Sequence, residues 1–221
     1  MNAASLINLF RTLANDKVEP YFWSDEEVLE WLNDGQQEAV LRGRLLYEHS
    51  DPDMTIINVQ AGHAEYPLHE LMYELDYLAL SLDGNTERNE LCLLSHEEAS
   101  RHIREWREQT GEPTIAMQGD KTITLIPTPQ ENGTLHINGY RLPKRIEFLD
   151  DEPEIHSAHH RHLLQWALYQ AFSIPDAEMF DPNRSEMARI NFERYFGLPV
   201  DSDWRRITRE DTPHTIKPFW I

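Results

Sequence analysis

Asp51-Pro52-Asp53-Met54-Thr55-Ile56-Ile57-Asn58-Val59-Gln60 is where the hydrophobic period of the chain changes from helical to extended. Asp51-Pro52-Asp53 stops a helix, because proline has no N–H for the ladder and its ring clashes with the preceding turn. The seven residues after it, MTIINVQ, are short and β-branched, which marks a strand. Upstream, Ser24-Asp25-Glu26-Glu27 is a capping box, in which the serine hydroxyl and the glutamate satisfy each other's backbone N–H groups. Trp23 and Val28 stand at the positions of a hydrophobic staple. Val28, Trp31, Leu32, Ala39 and Leu46 recur at helical spacing, so a helix is predicted over 24–48. Leu6, Ile7, Phe10 and Leu13 give a brief amphipathic helix within an N-terminal segment, 1–23.

Downstream, Leu75 to Leu82 and Glu90 to Leu94 read as strands on either side of the Asp83-Gly84-Asn85 turn, so 54–94 is a β region. Ser95-His96-Glu97-Glu98 is a second capping box and opens a helix over 95–108, with Ala99, Ile103 and Trp106 on one face. Strands return over 113–141. Thr114–Gln118, Thr122–Ile126 and Thr134–Tyr140 predict an antiparallel meander, with turns at Gly119-Asp120 and Glu131-Asn132-Gly133. Glu152-Pro153-Glu154 starts a helix over 153–173 whose Leu163, Leu164, Trp166, Ala167, Leu168, Ala171 and Phe172 are apolar nearly all round. Asp181-Pro182 caps a last helix over 182–196, with Met187, Ile190 and Phe196 as its apolar positions and Gly197 at its end. The fold class expected is α+β: a helical bundle with an inserted small antiparallel β region and an extended C-terminal arm. Residues 24–199 form the main domain and 200–221 the arm.

The chain has 221 residues, with 39 Asp plus Glu against 20 Lys plus Arg and a formal net charge of -19. That balance disfavours nucleic-acid binding, which needs cations to displace phosphate counterions, and disfavours an anionic membrane surface as partner. The single cysteine, Cys92, excludes an intramolecular disulfide and a cysteine-based zinc site, and its apolar neighbours predict a buried strand residue. A free thiol fits synthesis in a reducing cytoplasm. No apolar run approaches the ~20 residues that span a bilayer, and the N-terminus lacks the pattern of a signal peptide.

Catalytic signatures are missing: no Gly-rich phosphate loop, no G-x-S-x-G, no H-E-x-x-H, no calcium loop. One cluster offers an alternative. His156 and His160, four apart on the expected helix, together with Glu154 have the donor set of a facial metal site, and hence of a metal-dependent enzyme. The same histidines at an interface would make assembly pH-sensitive. A second alternative is an acidic nucleic-acid mimic that occupies a partner's basic groove. The arm holds large apolar residues, and Trp204, Phe219, Trp220 and Ile221 are its candidate partner-binding anchors, because buried aromatics dominate interfaces.

From 95 to about 200 a run of motifs stands in one order. Trp106 is followed by Gly111-x-Pro113, then Ile123-x-Leu125-x-Pro127-x-Pro129, Leu135 to Tyr140, and Arg141-Leu142-Pro143. Glu152-Pro153-Glu154 leads into His159-x-x-His162-Leu163-Leu164-x-Trp166-Ala167-Leu168. This order resembles the head-to-tail adaptor (head completion, or connector) proteins of tailed double-stranded DNA bacteriophages. Trp31-Leu32-Asn33-Asp34-Gly35-Gln36 with Glu38-Ala39 is similar to their first long helix. The resemblance implies a structural virion protein without catalysis or cofactor. About a dozen copies, a dodecamer, would ring the site below the portal protein, with a tail or nozzle protein beneath and DNA passing through the channel without specific binding. It also implies that the terminal arm clasps the portal.

Overall fold

The structure, a computed structural model, describes residues 1–199 apart from 85–86, 104 and 176–177. Among the described residues the order begins α1 (Ala3–Ala14), α2 (Asp25–Gly43), β1 (Tyr47–Glu48), α3 (Pro52–Thr55), β2 (Ile56–Val59), β3 (Glu65–Pro67) and β4 (Met72–Leu82). It continues with β5 (Asn89–Glu90), β6 (Cys92–Leu94), α4 (His96–His102), β7 (Thr110–Gly111), β8 (Ile115–Gln118), β9 (Thr122–Ile126) and β10 (Thr128–Pro129). β11 (Gly133–Arg141), α5 (His160–Ser173) and α6 (Pro182–Phe196) complete it. Contacts divide these residues into a helical unit, Met1–Leu46 with Leu142–Pro199, and a β unit, Tyr47–Arg141.

The expected helical bundle with a small β insertion is therefore overturned. The chain is mixed α+β, with eleven strands in three sheets among the described residues. The cause lies in β4 and β11. These long strands pair antiparallel along their whole length, and β11 also takes β1 and β2 as partners. The β region thus encloses a core of its own rather than decorating helices.

In the helical unit, α1 buries Leu6, Ile7 and Phe10. Phe10, Trp23 and Phe172 form a chain of edge-on rings, with centroids 5.6 and 5.9 Å apart. Such pairs add to their area burial because ring edges are positive and faces negative. The buried Arg11 fixes the turn into α2: it donates to Asp16 at 2.9 Å and to the Trp23 carbonyl at 3.1 Å, and pairs with Asp25. The Ser24–Glu27 capping box is formed. α2 ends at Gly43, short of the expected 48, because Arg44 adopts the left-handed conformation that closes a helix. Asp51-Pro52 accordingly starts the one-turn α3 instead of ending α2.

Gly35 lets α5 approach α2 closely. A Cβ there would lie 3.0 Å from the Trp166 Cβ. Within two residues of it, two buried amides bind extended chain as a strand would. Asn33 donates to the Ile146 carbonyl (3.1 Å) and accepts from the Ile146 N–H (2.8 Å). Gln36 donates to the Lys144 carbonyl (3.2 Å) and accepts from the Glu154 N–H (2.8 Å). This holds 144–154 against α2, so α5 begins at His160 rather than at 153.

In the β unit one sheet runs β1-β11-β4-β5, with β2 also on β11, and a second runs β3-β9-β8-β6. A short third pairs β10 with β7 in parallel. β8 and β9 form the hairpin around Gly119-Asp120, but β11 joins the other sheet, so the three strands are not a meander. Leu78, Leu80, Leu135 and Ile137 from the first sheet and Ala116, Ile123 and Leu125 from the second share one core. Gln118 ties the sheets through the Tyr73 carbonyl and the Leu75 N–H, each at 2.9 Å. Ala99 of α4 covers the opposite face of the second sheet at Met117 and Ile126, with Ile103 and Trp106 packed beside it beyond the helix end at His102. Cys92 is exposed, because β6 turns Leu91 inward instead.

Glu48 is the β unit's most heavily bonded carboxylate. It accepts from the N–H groups of His49, Ser50 and Asp51, from the Ser50 hydroxyl, and from Arg141 Nε at 3.1 Å. The Ser50 backbone N–H leads in holding its pKa down at about 2, against the upward push of burial.

Candidate assembly surface

α5 and α6 pack as a helical hairpin, and the spacing of α6 decides what each of its faces does. Ser185, Ala188, Phe192 and Phe196 lie on one stripe and are buried. Met187, Ile190 and Arg194 recur on the opposite side by the same 3.6-residue period. Met187 is 58% exposed, Ile190 36%, and Leu198 just beyond the helix 73%. Of the three apolar positions expected to face inward, only Phe196 does. These outward apolar positions make this side of α6 a candidate contact surface.

Beside this stripe the two helices leave a cleft of about 310 Å3 lined by His162, Gln165, Asn191, Arg194 and Tyr195. The His162 ring stacks on Tyr195 with centroids 3.4 Å apart, and His159 Nδ1 lies 3.1 Å from the Tyr195 hydroxyl. Burial is the main cause that pushes both histidines below their usual range. For His159, the neighbouring His156 and His160 add to it; for His162, His159 and Arg161 do. Arg161 and Arg194 are exposed and make no hydrogen bond or ion pair among the described residues. The neighbouring Arg189, by contrast, is tied to Glu186 at 2.6 Å and Glu193 at 2.5 Å.

The outer face of α2 has the opposite character. Glu26, Glu30 and Asp34, four residues apart, are all exposed. Glu30 pairs with Arg145 at 2.5 Å. Burial, and then the like charge of Glu30, push the Asp34 carboxyl up. Val18, Tyr21 and Phe22 are exposed on the approach to this helix.

The proposed metal trio is not brought together. Glu154 and His156 precede α5, so the i, i+4 relation to His160 is lost. Glu154 accepts from the Lys144 N–H (2.8 Å), and His156 Nδ1 accepts from the Ala158 N–H (3.2 Å). The buried His160 has Nε2 2.9 Å from the Ile155 carbonyl. Among the described residues no group of three His, Cys, Asp or Glu is arranged to hold a metal. Trp204, Phe219, Trp220 and Ile221 lie outside the described residues. Sequence reasoning passed over Arg161 and Arg194, although a signal was present. Neither has an acidic residue three or four positions away, which is unusual in a chain this rich in Asp and Glu.

The family model described as SU10 adaptor protein matches residues 1–216. No curated protein matches the chain.

Proposed function

The chain belongs to the SU10 adaptor protein family, and on that premise we propose that it is a structural component of a tailed-phage virion that works by assembly. Copies form a ring of about a dozen below the portal protein, join the capsid to a tail or nozzle protein, and leave a channel for DNA. The observation that carries this reading is a family match that covers both units and most of the terminal segment. The outward apolar stripe on α6 supports it, since ring closure needs surfaces that an isolated copy leaves uncovered.

Charge fits the same role. A net charge of -19 repels phosphate, so DNA can pass without being held. Residues 200–221 depart from that balance: Asp201, Asp203, Glu210 and Asp211 are offset by Arg205, Arg206, Arg209 and Lys217. A neutral segment with Trp204, Phe219, Trp220 and Ile221 suits an arm that anchors on the portal. No helix of the described residues is long and apolar enough to cross a membrane.

The test is location and dependence. Gold-labelled antibody against the chain should mark the head-tail vertex in electron micrographs, and particles made without it should carry portals but no tails. Label on the capsid faces or the tail tip, or tailed particles without the protein, overturn the reading. Deleting 204–221 should leave a folded body that no longer enters particles; truncated protein that still enters them refutes the arm.

A further inference from the structure

Ring closure by identical chains needs two different patches, one accepting the other. Copies that each carry a charge of -19 repel, so at least one patch must supply local positive charge. The helical unit presents one such pair. Its α5–α6 face carries Arg161 and Arg194, which have no hydrogen bond or ion pair among the described residues, on the same hairpin as the exposed Met187 and Ile190. Its α2 face carries Glu26, Glu30 and Asp34 in a row, with Phe22 exposed where the chain enters the helix.

We infer that the α5–α6 face of one copy docks on the α2 face of the next. This deepens the ring reading, on which it rests, by naming the surfaces and the partner. Both faces have the same order along the helix, apolar at the N-terminal end and charged beyond it. At 1.5 Å per residue, Arg194 stands ~10 Å past Met187, and the carboxylates from Glu26 to Asp34 span ~12 Å beyond the exposed Phe22. A parallel arrangement therefore sets apolar against apolar and arginine against carboxylate. Arginine suits this role, because its planar fork binds carboxylates with two hydrogen bonds. Asp34, pushed up by burial and then by the like charge of Glu30, has its charged form favoured by an arriving cation.

The test uses two full-length variants, Arg161→Glu/Arg194→Glu and Glu26→Arg/Asp34→Arg, with circular dichroism as the folding control. Each variant carries one sign on both faces, so alone each should enter rings on purified portal at least tenfold less than wild type. An equimolar mixture restores complementarity at every junction, in alternation, and should recover assembly. Wild-type assembly should weaken between 50 and 500 mM salt, as exposed charge pairs do. Either variant assembling normally alone, or a mixture of folded variants that fails, overturns the contact. A failing mixture whose arginine-reversed member also no longer binds portal as a single copy assigns the α5–α6 face to the portal. Wild type that never forms rings on portal refutes the ring reading itself, and the contact with it.

Discussion

The two units differ in how sequence relates to structure. The helical unit is built from two separated stretches, Met1–Leu46 and Leu142–Pro199, while the β unit is one continuous run, Tyr47–Arg141. Yet the discontinuous unit is the more local. Each helix closes its hydrogen bonds within itself, and the capping of α1, α2 and α6 comes from side chains at their own starts. In the β unit the longest ladder joins Gly133 with Leu82 and Arg141 with Met72. Continuity along the chain therefore says little about where bonding partners lie, and failure should look different in the two units.

The largest expected effect tests the backbone contact that the β unit depends on. Gly139 sits at a register shift between β11 and β4, and any Cβ there would collide with the Glu74 carbonyl and Leu75 backbone. Backbone cannot yield as a side chain tip can. Gly139→Val should cost more than about 5 kcal/mol, beyond the usual range of point substitutions. Loss of amide protection over 56–59, 72–82 and 133–141 in hydrogen exchange checks it. Protected strands in the variant would show that the ladder can shift to admit a side chain.

The helical unit should instead fail by degrees. Phe192 is fully buried among Trp166 and Phe196, with centroids 5.0 and 4.7 Å away. Phe192→Ala leaves a cavity and should cost roughly 3–5 kcal/mol, a fall of about 10 °C in Tm, with the cooperative transition kept. A melting curve unchanged from wild type would mean that α5 and α6 close over the gap.

That contrast explains what could be read in advance. The two capping boxes, the Gly119-Asp120 hairpin and the Asp181 cap were legible because each is specified by residues within a few positions. The partner of β11 was not, since alternation marks a strand without naming its neighbour. The start of α5 was misread because Glu152-Pro153-Glu154 has the composition of a first turn, whereas Gln36, more than a hundred residues earlier, holds Glu154 in extended chain. Met187 and Ile190 have the right residue types for a core and the wrong phase, and only the inward stripe through Phe192 shows it. The candidate surface left a signal in Arg161 and Arg194 that helical spacing alone did not bring out, and its geometry was illegible because the period gives each helix its faces without fixing how α5 and α6 turn against each other.

A third substitution sets electrostatics in the β unit against packing in the helical unit. The Glu48 carboxyl has a pKa of about 2 against an ordinary 4.5. A folded pKa below the unfolded one stabilises above the unfolded value and loses that stability as pH falls through the folded one. Glu48→Gln should therefore cost up to about 3 kcal/mol at pH 7, and the difference from wild type should shrink as pH falls through 4.5 and vanish only below pH 2. Thermal melts across that window check it. A gap as large at pH 2 as at pH 7 would make the effect one of shape rather than charge.

The smallest effect compares one motif in both units. Ser24 and Ser95 each accept from the N–H of a glutamate three residues on, at 3.1 Å, and each glutamate returns a bond to the serine N–H. The helices they open differ almost threefold, 19 residues against 7. A cap lowers the cost of starting a helix and has no bearing on where it stops. Ser24→Ala and Ser95→Ala should therefore each cost about 1 kcal/mol, whatever the helix length. Their consequences should diverge. α2 is held at its middle by Asn33, Gly35 and Gln36 and buried from Val28 to Val40, so its amides should stay protected when the cap is lost. α4 rests on Ala99 and its few neighbours, so the same 1 kcal/mol should raise exchange throughout 96–102. Equal protection of the two helices after cap removal would mean that local start signals, rather than tertiary packing, keep α4 folded.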